Sequence, residues 1–183
     1  MKKALKLLLL FDTMVMFSTA MLTPIYAVFV EEIGGDILSA SQSWAIFTLV
    51  AGVVIFLMGK MEDKVKEQEL AISLGYFIIG VGYLGYLMVS SVLSLFIVQI
   101  IIGLGFAISS PAFSASFTRH LETGKYASQW GSWESTDYIV TALGALAGGV
   151  VATIYGFTSL FVIMAIFCFV SAIIIYLLPR DLI

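Results

Sequence analysis

Residues 58–69 read "MGKMEDKVKEQE", and from Lys60 to Glu69 they set seven charged side chains of both signs into ten positions. The residues on either side are apolar for long runs, and that contrast decides the class. Charged residues are 11% of the 183 and hydrophobic ones 61%, with a mean hydropathy of +1.07. Soluble domains carry roughly 25% charged residues, so a water-soluble fold of this composition would leave much of its apolar surface wet. The chain reads as an integral membrane protein and the charged stretch as a loop between spans.

Working outward from the loop, six segments have the roughly 20 apolar residues that a membrane helix needs: 7–30, 41–59, 70–89, 92–117, 134–154 and 158–178. The start, "MKKALKLLLLF", has the basic and apolar regions of a signal peptide. No small-residue cleavage site follows promptly and the apolar run continues to Val30, so it reads as a retained first span. Helices satisfy their own backbone hydrogen bonds in lipid, and no strand is required. Lys2, Lys3 and Lys6 precede span one; Lys60, Lys64 and Lys66 separate spans two and three. Arg119 and Lys125 separate spans four and five, and Arg180 follows span six. All nine basic residues thus fall on one side. By the positive-inside rule both termini are cytoplasmic, in an inner or plasma membrane.

Sliding the chain against itself by 87 residues superposes Pro24 on Pro111 and Ala40-Ser41-Gln42 on Ala127-Ser128-Gln129. Asp12 then falls on Gln99, Ala20 on Ala107, Thr23 on Ser110 and Tyr26 on Phe113. Three spans is an odd number, so a second copy of three runs inverted. The expected fold is all-α: one domain over 1–183 made of two three-helix repeats, 1–90 and 91–183. Inverted repeats of this kind are typical of secondary transporters.

In the opening loop, Gly59 is followed after three residues by Asp63 and then Lys64. This resembles the cytoplasmic loop signature of the major facilitator superfamily. "LFIVQIIIGLGFA" resembles a second family pattern, with Gln99 where an arginine stands and Gly103 retained. "GALAGG" resembles a third, the antiporter pattern, with Gly144, Gly148 and Gly149 present and Ala145 in place of proline. Lys66 replaces the loop's second glycine. The likeness covers the whole chain, but only the N-terminal half of the usual twelve-span family. It implies that Asp63 touches the cytoplasmic end of a helix in the opposite half when the inside is closed. A helix N-terminus holds an exposed anion by roughly 0.3–1 kcal/mol, weak enough to break in each cycle.

Several polar groups fall within the spans. Asp12 begins a stripe through Met16, Thr19, Thr23 and Tyr26 at helical spacings of four, three, four and three. An acid at a span's centre costs roughly 2.5–3.5 kcal/mol and usually faces a cavity or a partner. The stripe is therefore expected to line a substrate or proton path, with Asp12 exchanging a proton. Gln99 shares its face with Gly103, Phe106 and Ser110. It reads equally as a substrate contact or an interhelical hydrogen bond. Glu134 and Asp137 read as solvated acids at the mouth of span five. Gly144 and Gly148 form a small-xxx-small helix contact, with Gly103 and Gly149 grouped with them as packing positions. Pro24 and Pro111 are expected to bend their spans, and Trp44, Trp130 and Trp133 to anchor at the membrane interfaces. Cys168 is alone in an apolar run and reads as a small apolar filler.

No basic residue lies within a span, which favours a neutral, hydrophobic or cationic solute. His120 has no metal-ligand neighbours and no phosphate loop is present. Neither catalysis, metal, cofactor nor nucleic acid is expected. The family builds its cavity between two halves related by an axis along the membrane normal. Two parallel copies of this chain would reproduce that arrangement, so the expectation is a homodimeric, proton-coupled secondary transporter. The alternatives are a six-span scaffold for another membrane protein and a truncated half of a twelve-span carrier.

Overall fold

The computed structural model describes residues 3–62 and 67–178. Asp63 and Lys64 of the charged loop lie outside them. The described chain is helical: α1 (Lys3–Leu22), a 3-10 turn (Thr23–Ile25), α2 (Tyr26–Glu32), α3 (Ile37–Glu62), α4 (Gln68–Gly85), α5 (Val92–Arg119) and α6 (Tyr126–Leu177). Five stretches among the described residues are long and apolar enough to cross a membrane: Lys6–Glu32, Ile37–Gly59, Gln68–Met88, Val92–Arg119 and Tyr126–Leu177.

The expected first span is broken by Pro24. The ring of a proline removes a hydrogen-bond donor and crowds the preceding turn, and here the chain tightens into a 3-10 turn with Pro24 near its start. Pro111, by contrast, sits inside α5. After α2 the chain turns through Gly34 at φ +82. Asp36 then starts α3, its Oδ1 accepting from the backbone N–H of Ser39 at 2.7 Å and from the Ser39 hydroxyl at 2.6 Å. These bonds hold the Asp36 carboxyl below its usual range. Ser91 and Ser94 cap the start of α5 reciprocally.

The last helix is 52 residues long, about 78 Å if straight, against a hydrocarbon core of roughly 30 Å. It is not straight, because Gly156 interrupts it at φ 78, ψ 171. A straight helix would also hold Gly144 and Cys168 about 36 Å apart. Yet a Cβ on Gly144 would meet the Phe17 carbonyl, while Cys168 Sγ lies 3.5 Å from Ser18 Oγ. Adjacent residues of α1 therefore touch both arms, 126–155 and 157–177, and the chain reverses at Gly156.

Helix α6 begins at Tyr126, eight residues before the expected start of span five. Hydropathy reads "YASQWGSW" as a loop because it is polar, but nothing in it stops a helix. Lys125 precedes it, its Nζ 2.7 Å from Glu122 Oε2. That pairing on the open surface is the largest of the influences that lower the Glu122 carboxyl to about 2.

Small residues set the helix spacings. Cβ atoms on Gly75 or Gly105 would each strike the other's carbonyl, so α4 and α5 cross in backbone contact. Gly103 lies against α3 at the Phe47 carbonyl, and Gly148 lies against the main chain of Met21. Gly149 has nothing within 4 Å of where its Cβ would be. One position on from Gly148, it is rotated by a 100° helical step, off the face that meets α1. The expected packing role does not hold for it within the chain. Further bonds tie the second arm of α6 to its neighbours: Ser171 donates to the Phe11 carbonyl at 3.0 Å, and Ser73 of α4 to the Ala172 carbonyl at 2.8 Å.

Candidate functional site, a cavity at the face of α1

A cavity of about 480 Å³ opens where α1, α3, α4, α5 and the first arm of α6 converge. Asp12 lies on its wall, only 5% exposed. The hydroxyl of Tyr76 on α4 donates to Asp12 Oδ1, while Oδ2 has no hydrogen-bond partner among the described residues. Trp133 faces the same carboxyl from α6, and its indole N–H is likewise unpartnered, short of hydrogen-bonding geometry. Buried polar atoms are almost always paired. Asp12 Oδ2 and the Trp133 N–H face one another on the cavity wall, and a small adjustment of either side chain pairs them.

Of the sequence-expected path residues, Asp12, Thr19, Thr23 and Ser110 all line this cavity. Tyr26 and Gln99 instead line a narrower space of about 60 Å³ beside it, with Thr19 and Thr23 on the shared wall. Gln99 Nε2 donates to the Tyr26 hydroxyl at 2.5 Å, and that hydroxyl pairs with Ser43 Oγ at 2.6 Å. The Gln99 amide is thereby engaged between helices, as one of its two sequence readings has it. Gly59 lies within α3, next to the residues not described.

Sequence reading missed Tyr76 and Tyr83. They fall on one face of α4, seven residues apart, a signal for a polar stripe that the apolar context hides. Trp44, Trp133 and Asp137 also border the cavity, with Thr141 donating to Asp137 Oδ1 at 3.5 Å. Trp130 packs edge-on against Phe117, with ring centroids 4.7 Å apart.

The sequence profile of the Major Facilitator Superfamily matches residues 8–182. The chain belongs to this superfamily. It is 26% identical over 171 residues to an uncharacterized MFS-type transporter of Methanocaldococcus jannaschii, covering 92% of this chain and 43% of that one. It is 23% identical over 162 residues to YitZ of Bacillus subtilis, also an uncharacterized MFS-type transporter, covering 85% of this chain and 94% of that one. The chain thus spans less than half of the archaeal relative and nearly all of the bacterial one. As a member of the major facilitator superfamily it is an integral membrane protein, and the cavity beside Asp12 is its candidate functional site.

Proposed function

We propose that this chain is a secondary active transporter that works as a parallel homodimer, moving a small neutral, hydrophobic or cationic solute by alternating access. The observation that carries the reading is the Asp12 carboxyl, buried on a cavity wall with one oxygen unpartnered. Among the described residues no Lys, Arg or His lines the cavity, which disfavours an anionic solute.

The dimer has separate support. Thr19 of α1 and Thr23 of the 3-10 turn that follows are exposed on the cavity side, a costly position for polar groups facing lipid. A second copy placed across them, with both termini on the cytoplasmic side, would shield them and double the cavity. The bacterial relative is matched over 94% of its length, so the same unit occurs in a relative of about its own size. The archaeal relative, matched over 43%, favours a second reading in which the same face meets another half within a longer carrier. In either arrangement the six segments act as a three-plus-three inverted repeat, with Asp12 and Gln99 as equivalent positions. Asp63 serves as the anion of the cytoplasmic latch, and Asp63→Asn should raise labelling of cavity cysteines from the inside and lower it from the outside.

Asp12 is the proposed coupling group. Coupling requires proton and solute to bind with different preferences in the inward- and outward-facing states. The test is solute uptake into proteoliposomes with and without an imposed pH gradient. Wild type should concentrate solute when the gradient is present, and Asp12→Asn should equilibrate it only. A wild type indifferent to the gradient, or an Asn variant that still follows it, removes Asp12 from this role.

A further inference from the structure

We propose that Asp12 and Asp137, set between aromatic walls, select a bulky hydrophobic organic cation. This deepens the transport reading above and rests on it, adding a substrate class and assigning Asp137 to the binding site.

The argument is an account of donors and acceptors. Thr19 donates to the Val15 carbonyl at 3.0 Å, so the proton in its 2.8 Å bond with Tyr83 belongs to the tyrosine. Thr23 donates to the Thr19 carbonyl at 2.9 Å and Ser109 to the Gly105 carbonyl at 3.1 Å. Tyr76 gives its proton to Asp12, and Thr141 is directed at Asp137. A hydroxyl has one proton and two lone pairs. With these protons engaged, the hydroxyls turn lone pairs toward the cavity. These acceptors stand beside two carboxyls; the Trp133 N–H and the Ser110 and Ser114 hydroxyls are the donors on the same lining, and no basic side chain among the described residues borders it.

The apolar lining is electron-rich as well. Trp44, Phe47 and Phe106 form a continuous aromatic wall across α3 and α5, with successive ring centroids 5.2 and 5.9 Å apart. Phe113 and Trp133 form a second wall across α5 and α6, 5.7 Å apart. Aromatic faces attract cations through the ring quadrupole, tryptophan most strongly. The two carboxyls line the one cavity. Like charges facing one low-dielectric space repel, and a cation between them turns that repulsion into attraction. A solute rich in hydroxyl donors would match the lone pairs but not the aromatic walls. A compact inorganic cation would leave the extended aromatic walls unmatched. A cation with an apolar body satisfies both parts of the lining, and about 480 Å³ is within the roughly 300–1,000 Å³ of small-molecule sites.

The test compares two ions of one shape and opposite charge, tetraphenylphosphonium and tetraphenylborate, by equilibrium dialysis against the purified full chain in detergent. No gradient is applied, so binding is read separately from transport. Saturable tetraphenylphosphonium binding about tenfold or more tighter than that of tetraphenylborate is expected. Asp137→Asn and Asp12→Asn should each weaken it several-fold and leave tetraphenylborate no weaker. Asp137 is only partly buried, so its variant tests the site even if the Asp12 variant does not fold. Equal affinity for the two ions, no saturable binding of the cation, or cation binding untouched by Asp137→Asn overturns the proposal. Selective binding without gradient-driven uptake would sustain this inference and sink the transport reading, and coupled uptake without charge selectivity would do the reverse.

Discussion

Tyr76 and Asp12, 64 positions apart in sequence, meet where their side chains reach between α4 and α1, and the tyrosine hydroxyl holds one carboxyl oxygen while the other faces the cavity wall. The bond fixes which oxygen is available, because the ring of Tyr76 is itself only 4% exposed and cannot swing away. Tyr76→Phe keeps the ring and removes the donor. It should destabilise the folded protein by about 1–3 kcal/mol, the cost of leaving a buried polar group unsatisfied, read as a lower unfolding temperature in detergent. In the Tyr76→Phe background Asp12→Asn should cost less than it does alone, since the two changes act on one interaction. Strict additivity would show that the pair is not coupled.

Neighbouring glycines on α6 should respond in opposite ways. Gly148→Ala places a methyl against the main chain of Met21, forcing α1 and α6 apart at a cost of about 1–3 kcal/mol. Gly149→Ala meets nothing within 4 Å, and should be neutral or stabilising by up to about 1 kcal/mol through helix propensity. Thermal unfolding of the two variants side by side checks this, and equal losses would contradict the packing described.

The reversal between the arms of α6 depends on Gly156, whose φ of 78 and ψ of 171 a side chain strongly disfavours. Gly156→Ala should cost about 1–3 kcal/mol from backbone strain alone, because no atom lies within 4 Å of its Cβ position. A wild-type unfolding temperature would mean that the turn has another conformation.

The dimer is open to a direct test. With Cys168 replaced by alanine, single cysteines at Thr23 or Ser110 on the cavity wall should form a crosslinked dimer with a short bifunctional reagent. A folded protein that never crosslinks at any position along the cavity sides of α1 and α5 would not be the proposed dimer.

Much of this architecture was legible in the order of residues. Composition gave the membrane, and the 3.6-residue stripe running along α1 into the following turn placed Asp12, Thr19 and Thr23 on one wall. The family likeness carried by Gly59, Gly103 and the α6 glycines led to the superfamily whose profile matches. What stayed hidden was relational. Tyr76 is an aromatic in an apolar helix until α1 lies beside it, and Asp137 reads as a solvated acid until the helix is seen to start at Tyr126 and carry it to the cavity. The Gly75–Gly105 crossing has no motif at all, since its two glycines belong to different helices and only their packing pairs them.

The seam between α1 and the two arms of α6 also has a consequence for how the protein is made. Asp12 leaves the ribosome more than a hundred residues before Trp133 and Asp137, on the order of 10 s at cellular synthesis rates of roughly 5–20 residues per second. During that interval the acid has no completed cavity around it, and Tyr76 is the first partner to emerge. The enclosure of the α1 acid therefore comes late in the chain's synthesis, completed only when the first arm of α6 arrives.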